Sequence, residues 1–203
     1  MSGATNVPVA PSGARLSVAD GESSIRAMHF ELKHTFDAPV DAVMDAMSDP
    51  AFPDFMKSHM KLMSDIKPID RKEEGGRLSW RLRCVPVPMI KKVGPKEVPP
   101  EALAFVQEST IDRAGKRITF KNVAEHPKVL KHLENSGSFS FRDLGGRTER
   151  VISGELRVTN LPFLLKPLGA IAERIIYSNA ESLLNEEAKV FGEFLKTRTQ
   201  PAA

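Results

Sequence analysis

The sequence predicts an α+β domain in which a curved antiparallel sheet of about seven strands wraps around one long C-terminal helix. Two observations predict it. Apolar residues in the segment Leu161 to Lys196 recur at helical spacing, at Leu165, Leu168, Ala172, Ile175, Ile176, Leu183, Val190 and Phe194. A helix of roughly 30 residues spans about 45 Å at 1.5 Å per residue, so it must lie across another element to bury that stripe. Nearly everything upstream of it reads as short alternating strands divided by turn residues, and a bent sheet is the element available for it to cover.

Each element follows from local chemistry. Residues 1–27 are rich in Gly, Ser, Pro and Ala with little periodicity and read as a disordered leader. Structure is expected to begin near Met28, where Phe30, Leu32 and Phe36 alternate with Glu31, Lys33 and Thr35 as in a half-buried strand. Asp37 and Pro39 form a helix start, with Asp37 as candidate cap, and Ser48, Asp49 and Pro50 stop that helix. Ala51 to His59 reads as a second short helix. Strands follow at Met60 to Arg71 and at Arg77 to Val85, joined through Gly75 and Gly76. In the second of these, Leu78, Trp80, Leu82 and Cys84 share the inward face. After a proline-rich loop, strands are expected at Leu103 to Ile111, Arg117 to Ala124, around Phe139 and Phe141, and at Arg147 to Thr159, where Ile152, Leu156 and Val158 face in. Asp112 to Gly115 and Asp143 to Gly146 supply turns, and 125–130 is irregular or briefly helical. Asn160 and Pro162 open the terminal helix, and 198–203 is a disordered tail.

Composition narrows the function classes. The chain has 203 residues, 41% of them hydrophobic, enough for one real core. A formal net charge of only +3 gives no basis for nucleic-acid binding. The single cysteine, Cys84, excludes an internal disulfide and a multi-cysteine metal site, and it reads as a small core residue. The five histidines show no metal-ligand spacing, and no nucleophile elbow, P-loop or zincin helix is present, so no cofactor, metal or catalytic residue is assigned. No apolar run is long enough to span a bilayer and no secretory signal is recognisable, which makes a cytoplasmic location the expectation. Glu181, Glu186, Glu187 and Glu193 read as the solvated face of the terminal helix.

The first strand ending in Phe36-Asp-Ala-Pro-Val-Asp-Ala-Val43, the strand meander and the long last helix together resemble the START-like superfamily, also called SRPBCC or Bet v 1-like, with its helix-grip fold. The resemblance covers about Met28 to Lys196. Within it the chain is similar to bacterial polyketide-cyclase-like proteins. A weaker resemblance, to the PRELI lipid-transfer group, rests on Ile69-Asp-Arg-Lys, Gly76-Arg-Leu-Ser-Trp-Arg-Leu82 and Ser178-Asn-Ala180. The superfamily resemblance implies a cavity between sheet and helix. From the residues alone, the same large inward side chains either fill that space or line it.

The candidate ligand-binding residues are Trp80, Leu82, Phe105, Phe120, Phe139, Phe141, Ile152, Leu168, Ile171 and Ile175, with Gln107, Asn122 and Asn179 as polar groups on the same faces. Between Gly76 and Pro100 six cations face one carboxylate, Glu97, a local +5. Met89, Ile90 and Val93 beside Lys91 and Lys92 suit a gate over the pocket or brief contact with an anionic membrane, or else an ordinary loop tucked onto the sheet. The expected function is therefore burial of a hydrophobic small molecule, a lipid foremost, with transfer through transient membrane contact. A cyclase or aromatase using the same pocket, and a regulatory module with a filled core, are the alternatives.

Overall fold

Strict alternation of apolar and polar side chains drives the sheet, and its register can be read as transverse rows. The structure is a computed structural model that describes residues 17–18, 26–88, 91–93, 95–125, 133–158 and 169–199. Within these, side chains are placed for all but 17–18, 26–27, 93, 96, 133, 158, 169–176 and 199. The elements are β1 (Ser17–Val18), β2 (Arg26–Phe36), α1 (Val40–Met47), α2 (Phe52–His59), β3 (Met63–Glu74), β4 (Arg77–Pro86), β5 (Lys92–Val93), β6 (Lys96–Glu97), a 3₁₀ turn (Pro100–Leu103), β7 (Phe105–Asp112), β8 (Arg117–Ala124), β9 (Leu133–Asp143), β10 (Thr148–Val158) and α3 (Gly169–Thr199).

One curved antiparallel sheet runs in the order β1-β2-β10-β9-β8-β7-β4-β3, and β5 and β6 make a separate small ladder. Seven long strands match the expectation. The eighth, β1, comes from the stretch read as a leader, where Ser17 pairs with His29 and Val18 with Met28; β2 also starts two residues before Met28. Backbone pairing asks only for free N–H and C=O groups, so a Gly- and Ser-rich composition does not forbid it.

Other differences have equally local causes. The strand expected from Met60 begins at Met63, because the Met60 N–H donates to the Met56 carbonyl and closes α2. Leu103 lies in the 3₁₀ turn instead of a strand, since the Ala102 and Ala104 N–H groups donate to the Pro99 and Glu101 carbonyls. Asp37 does not cap α1. Pro39 is its N-cap, in an extended conformation, and its carbonyl accepts the Val43 N–H. The irregular 125–130 segment beyond Glu125, Asn160, Pro162 and the tail from 200 lie outside the described residues.

The rows on the inward face differ in character. Leu78, Ile111, Ile118, Phe139, Ile152 and Leu32 pair across six strands and form a continuous apolar band. The next row toward the other end is Trp80, Ser109, Phe120, Gly137, Gly154 and Phe30. Its two glycines make room for rings: a Cβ on Gly154 would lie 2.2 Å from Cζ of Phe30, and one on Gly137 would lie 2.8 Å from Cζ of Phe120. Gly154→Ala is accordingly expected to displace Phe30 and cost about 1–3 kcal/mol, read as a lower urea midpoint. An unchanged midpoint would mean that the ring relocates freely.

Helix α3 has 31 residues, about 46 Å at 1.5 Å per residue, and its two halves do different work. In the C-terminal half Ala188, Phe191, Phe194 and Leu195 are buried at helical spacing. Phe191 meets the rings of Phe36 and Phe52 edge-on, and Phe194 packs on Phe52 and Phe55, so this half is sealed by β2 and α2. The turns before and across the helix middle present Ala180, Leu183, Leu184 and Glu187, again at helical spacing, to open space.

Candidate functional site

That space is a cavity of about 290 Å³ between the inward face of the sheet, α2 and α3. Its walls are mainly apolar: Phe30, Leu156 and Phe139 on one side, Ile66, Cys84 and Phe105 on another, and Met56, Met60, Leu62 and Met63 from α2 and the chain that leaves it. Glu186 holds that last stretch in place, since its carboxylate accepts the backbone N–H groups of Lys61 at 2.8 Å and Leu62 at 2.9 Å. Pro86, Val87 and Leu103 also line the cavity, so the loop between β4 and β7 leaves and rejoins the sheet at the cavity wall.

The polar lining comes from one row of the sheet. Leu82, Gln107, Asn122, Asn135, Leu156 and Met28 pair across six strands, and Gln107, Asn122 and Asn135 are consecutive in it. Asn179 joins them from α3. The Oδ1 atoms of Asn122, Asn135 and Asn179 are buried without a hydrogen-bond partner among the described residues.

A charged cluster closes the cavity at the sealed end of the helix. Arg150, with no exposed surface, donates to Glu187 through Nη1 at 2.9 Å and Nη2 at 2.6 Å. Its guanidinium also lies 5.1 Å from the Phe36 ring centroid and 5.2 Å from that of Phe139. Arg150 pairs with His34 across β10 and β2, and Nη2 lies 3.4 Å from His34 Nδ1. With its proton on Nε2, His34 donates to Asn185 Oδ1 at 3.0 Å and leaves Nδ1 to accept from Arg150. Burial first, then the Arg150 charge, lowers the His34 pKa, while the Asn185 hydrogen bond and Glu187 oppose that shift, so the ring is neutral at neutral pH.

The expected site residues separate into three groups. Phe105, Gln107, Phe120, Asn122, Phe139 and Asn179 line the cavity. Trp80, Leu82, Phe141 and Ile152 are buried as expected but pack in the core outside that lining. The side chains of Ile171 and Ile175, and the whole of Leu168, Met89 and Ile90, lie outside the described residues, as does the side chain of Val93. Lys91 and Lys92 are exposed.

Three features escaped the sequence reading. Asn135 lies two inward steps before Phe139, so strand alternation would have found it had β9 been extended to Leu133. Arg150 is likewise one inward step from Ile152. Glu186 and Glu187 do not belong to a solvated face: one accepts two backbone N–H groups and the other pairs with Arg150. The local +5 also shrinks on folding. Arg81 pairs with Asp70 and Glu108, and Arg83 with Glu101 and Glu125, carboxylates that cross-strand pairing brings in from outside the counted stretch. Cys84 is buried, which pushes its thiol up to about 12. Among the described residues no cluster of His, Cys, Asp and Glu could hold a metal ion, and no helix is long and apolar enough to cross a membrane.

No protein-family model and no curated protein matches the sequence. Solved structures match the fold. A protein from Thermus thermophilus has a TM-score of 0.61 at 17% identity, covering 85% of this chain and 99% of its own. An aromatase/cyclase from Streptomyces sp. R1128 has a TM-score of 0.61 at 15% identity, covering 87% and 98%. Norcoclaurine synthase from Thalictrum flavum, solved with dopamine and hydroxybenzaldehyde, has a TM-score of 0.59 at 14% identity, covering 92% and 98%. These neighbours lend no support to the PRELI resemblance. Curved sheet, long C-terminal helix and these matches together show that the chain has the helix-grip fold.

Proposed function

We propose that this protein binds a small, largely apolar molecule in the cavity between the sheet and α3. The observation that carries the proposal is the cavity itself: about 290 Å³ of mainly apolar-walled space in a class of molecules whose interiors hold few voids larger than a water. That volume has room for a one- or two-ring compound or an acyl chain, and the lipid expected from the sequence is retained as one such occupant. Arg81 and Arg83 are paired with neighbouring carboxylates, so transient contact with an anionic membrane rests on the exposed Lys91 and Lys92. The loop between β4 and β7 is retained as the gate because it is rooted at Pro86, Val87 and Leu103 on the cavity wall. Dopamine and hydroxybenzaldehyde, held by one structural neighbour, are ligands of the size that this cavity admits.

Binding is favoured over catalysis by the titratable groups present. Among the described lining residues these are Cys84 and Glu187. A thiol raised to about 12 is no nucleophile at neutral pH, and Glu187 is held by two hydrogen bonds from Arg150.

The test uses the neutral fluorophore N-phenyl-1-naphthylamine with the wild type and Ala180→Trp, which puts an indole into the cavity from α3. Binding is expected to fall at least about tenfold in the variant while circular dichroism is unchanged. Ala124→Phe, from the opposite wall, repeats the test should the first variant fold poorly. Undiminished binding in either folded variant would overturn the proposal.

A further inference from the structure

Three unpartnered amide oxygens in one apolar cavity are an unmet demand for hydrogen-bond donors. Those of Asn122 and Asn135 sit on paired residues of β8 and β9, beside Gln107 on β7, and that of Asn179 reaches the same cavity from α3. The neighbouring lining residues Phe30, Phe120, Cys84 and Phe105 are apolar or weakly polar, so a ligand that fills the cavity must supply the donors in place of the water it displaces. Natural interiors leave few such atoms unpaired, and a cluster of them at one place calls for an occupant.

Charge restricts what that occupant is. Among the described lining residues there is no Lys, Arg or His, and the one ion, Glu187, already takes both of its hydrogen bonds from Arg150. A carboxylate or phosphate placed here meets acceptor oxygens and the carboxylate side of a closed Glu187–Arg150 pair, with no free cation among the described lining residues to offset its desolvation. A hydroxyl or neutral N–H group meets what it needs. An amide turned end for end offers N–H instead of oxygen, which a hydroxyl still satisfies by accepting and a hydrocarbon does not.

Resting on the proposed binding of an apolar ligand, we infer that the occupant is a neutral ring or short-chain compound that directs O–H or N–H donors at Asn122, Asn135 and Asn179, and that these residues select it against acids and plain hydrocarbons. Asn122, Asn135 and Asn179 are thus specificity residues, and the apolar walls supply the bulk of the affinity.

Titration at neutral pH with naphthalene, 1-naphthol and 1-naphthoate tests this on one skeleton. For the wild type, 1-naphthol is expected to bind about tenfold tighter than naphthalene, the effect of about one well-formed hydrogen bond. 1-Naphthoate is expected to bind at least about tenfold more weakly than naphthalene. In an Asn122→Leu, Asn135→Leu variant, which keeps the branched heavy-atom skeleton and removes the polar atoms, the advantage of naphthol should vanish while naphthalene still binds. Equal binding of all three by the wild type would overturn the inference and leave apolar binding intact; binding of none would remove both. Naphthoate binding tightest, or the advantage of naphthol surviving in the double variant, would also overturn it.

Discussion

Glu187→Leu is expected to lower the free energy of unfolding by about 3–5 kcal/mol, because it leaves a buried guanidinium without its carboxylate. Arg150 has no exposed surface, and both of its carboxylate bonds come from Glu187. What remains after the substitution is His34 Nδ1 at 3.4 Å and the faces of Phe36, Phe139 and Phe191, with Nε already unpartnered. Aromatic faces offset part of a charge's desolvation, about 2 kcal/mol or more at a buried site. The double variant Arg150→Met, Glu187→Leu removes both charges and should recover most of the loss, since apolar replacement of a whole buried pair is often neutral or stabilising. Urea denaturation of the four proteins gives the cycle. A single-variant cost under about 1 kcal/mol would place the pair with ordinary surface bridges and refute its buried role.

Phe191→Ala is expected to cost about 3–5 kcal/mol, the range for truncating a fully buried aromatic. Its ring has no exposed surface and lies 4.9 Å from the Phe36 centroid and 5.2 Å from that of Phe52. Leu184→Ala, two helical turns earlier, should cost less than about half as much, because Leu184 already faces the cavity and its removal exposes few new apolar contacts. Comparing the two by denaturation measures the division of α3 into a packed half and a ligand-facing half. Equal costs would mean that the upper half is packed as tightly as the lower, and that the cavity is not a persistent feature.

Much of this was legible along the chain. The β8 boundaries agree with the pattern at Arg117 and Ala124, because Ile118 and Phe120 alternate cleanly after the Asp112–Gly115 turn. The same alternation puts Gln107 and Asn122 on the inward face of the sheet, and Asn179 is expected on the pocket-facing side of the terminal helix. Asn135 was missed because β9 is marked by Phe139 and Phe141 only at its far end, and Ser and Gly in between weaken the period. Arg150 and Glu187 were hidden for a different reason. Charge predicts the cost of burying each residue but not the presence of a partner 37 positions away.

The chain by itself determined which side chains face inward, because strand alternation and helical spacing are properties of neighbours in sequence. It also determined the order of strand, short helices, meander and long helix, and with it the fold. Only the tertiary structure decided whether those inward side chains meet or stand apart. That outcome depends on the separation of sheet and helix, which Phe191 and Phe194 close at one end and Leu183 and Leu184 leave open at the other. It likewise decided that Arg81 and Arg83 of the 76–100 stretch are answered by carboxylates from outside it, and that three amides from β8, β9 and α3 share one apolar room. Long-range pairing sets those distances, and no local pattern encodes them.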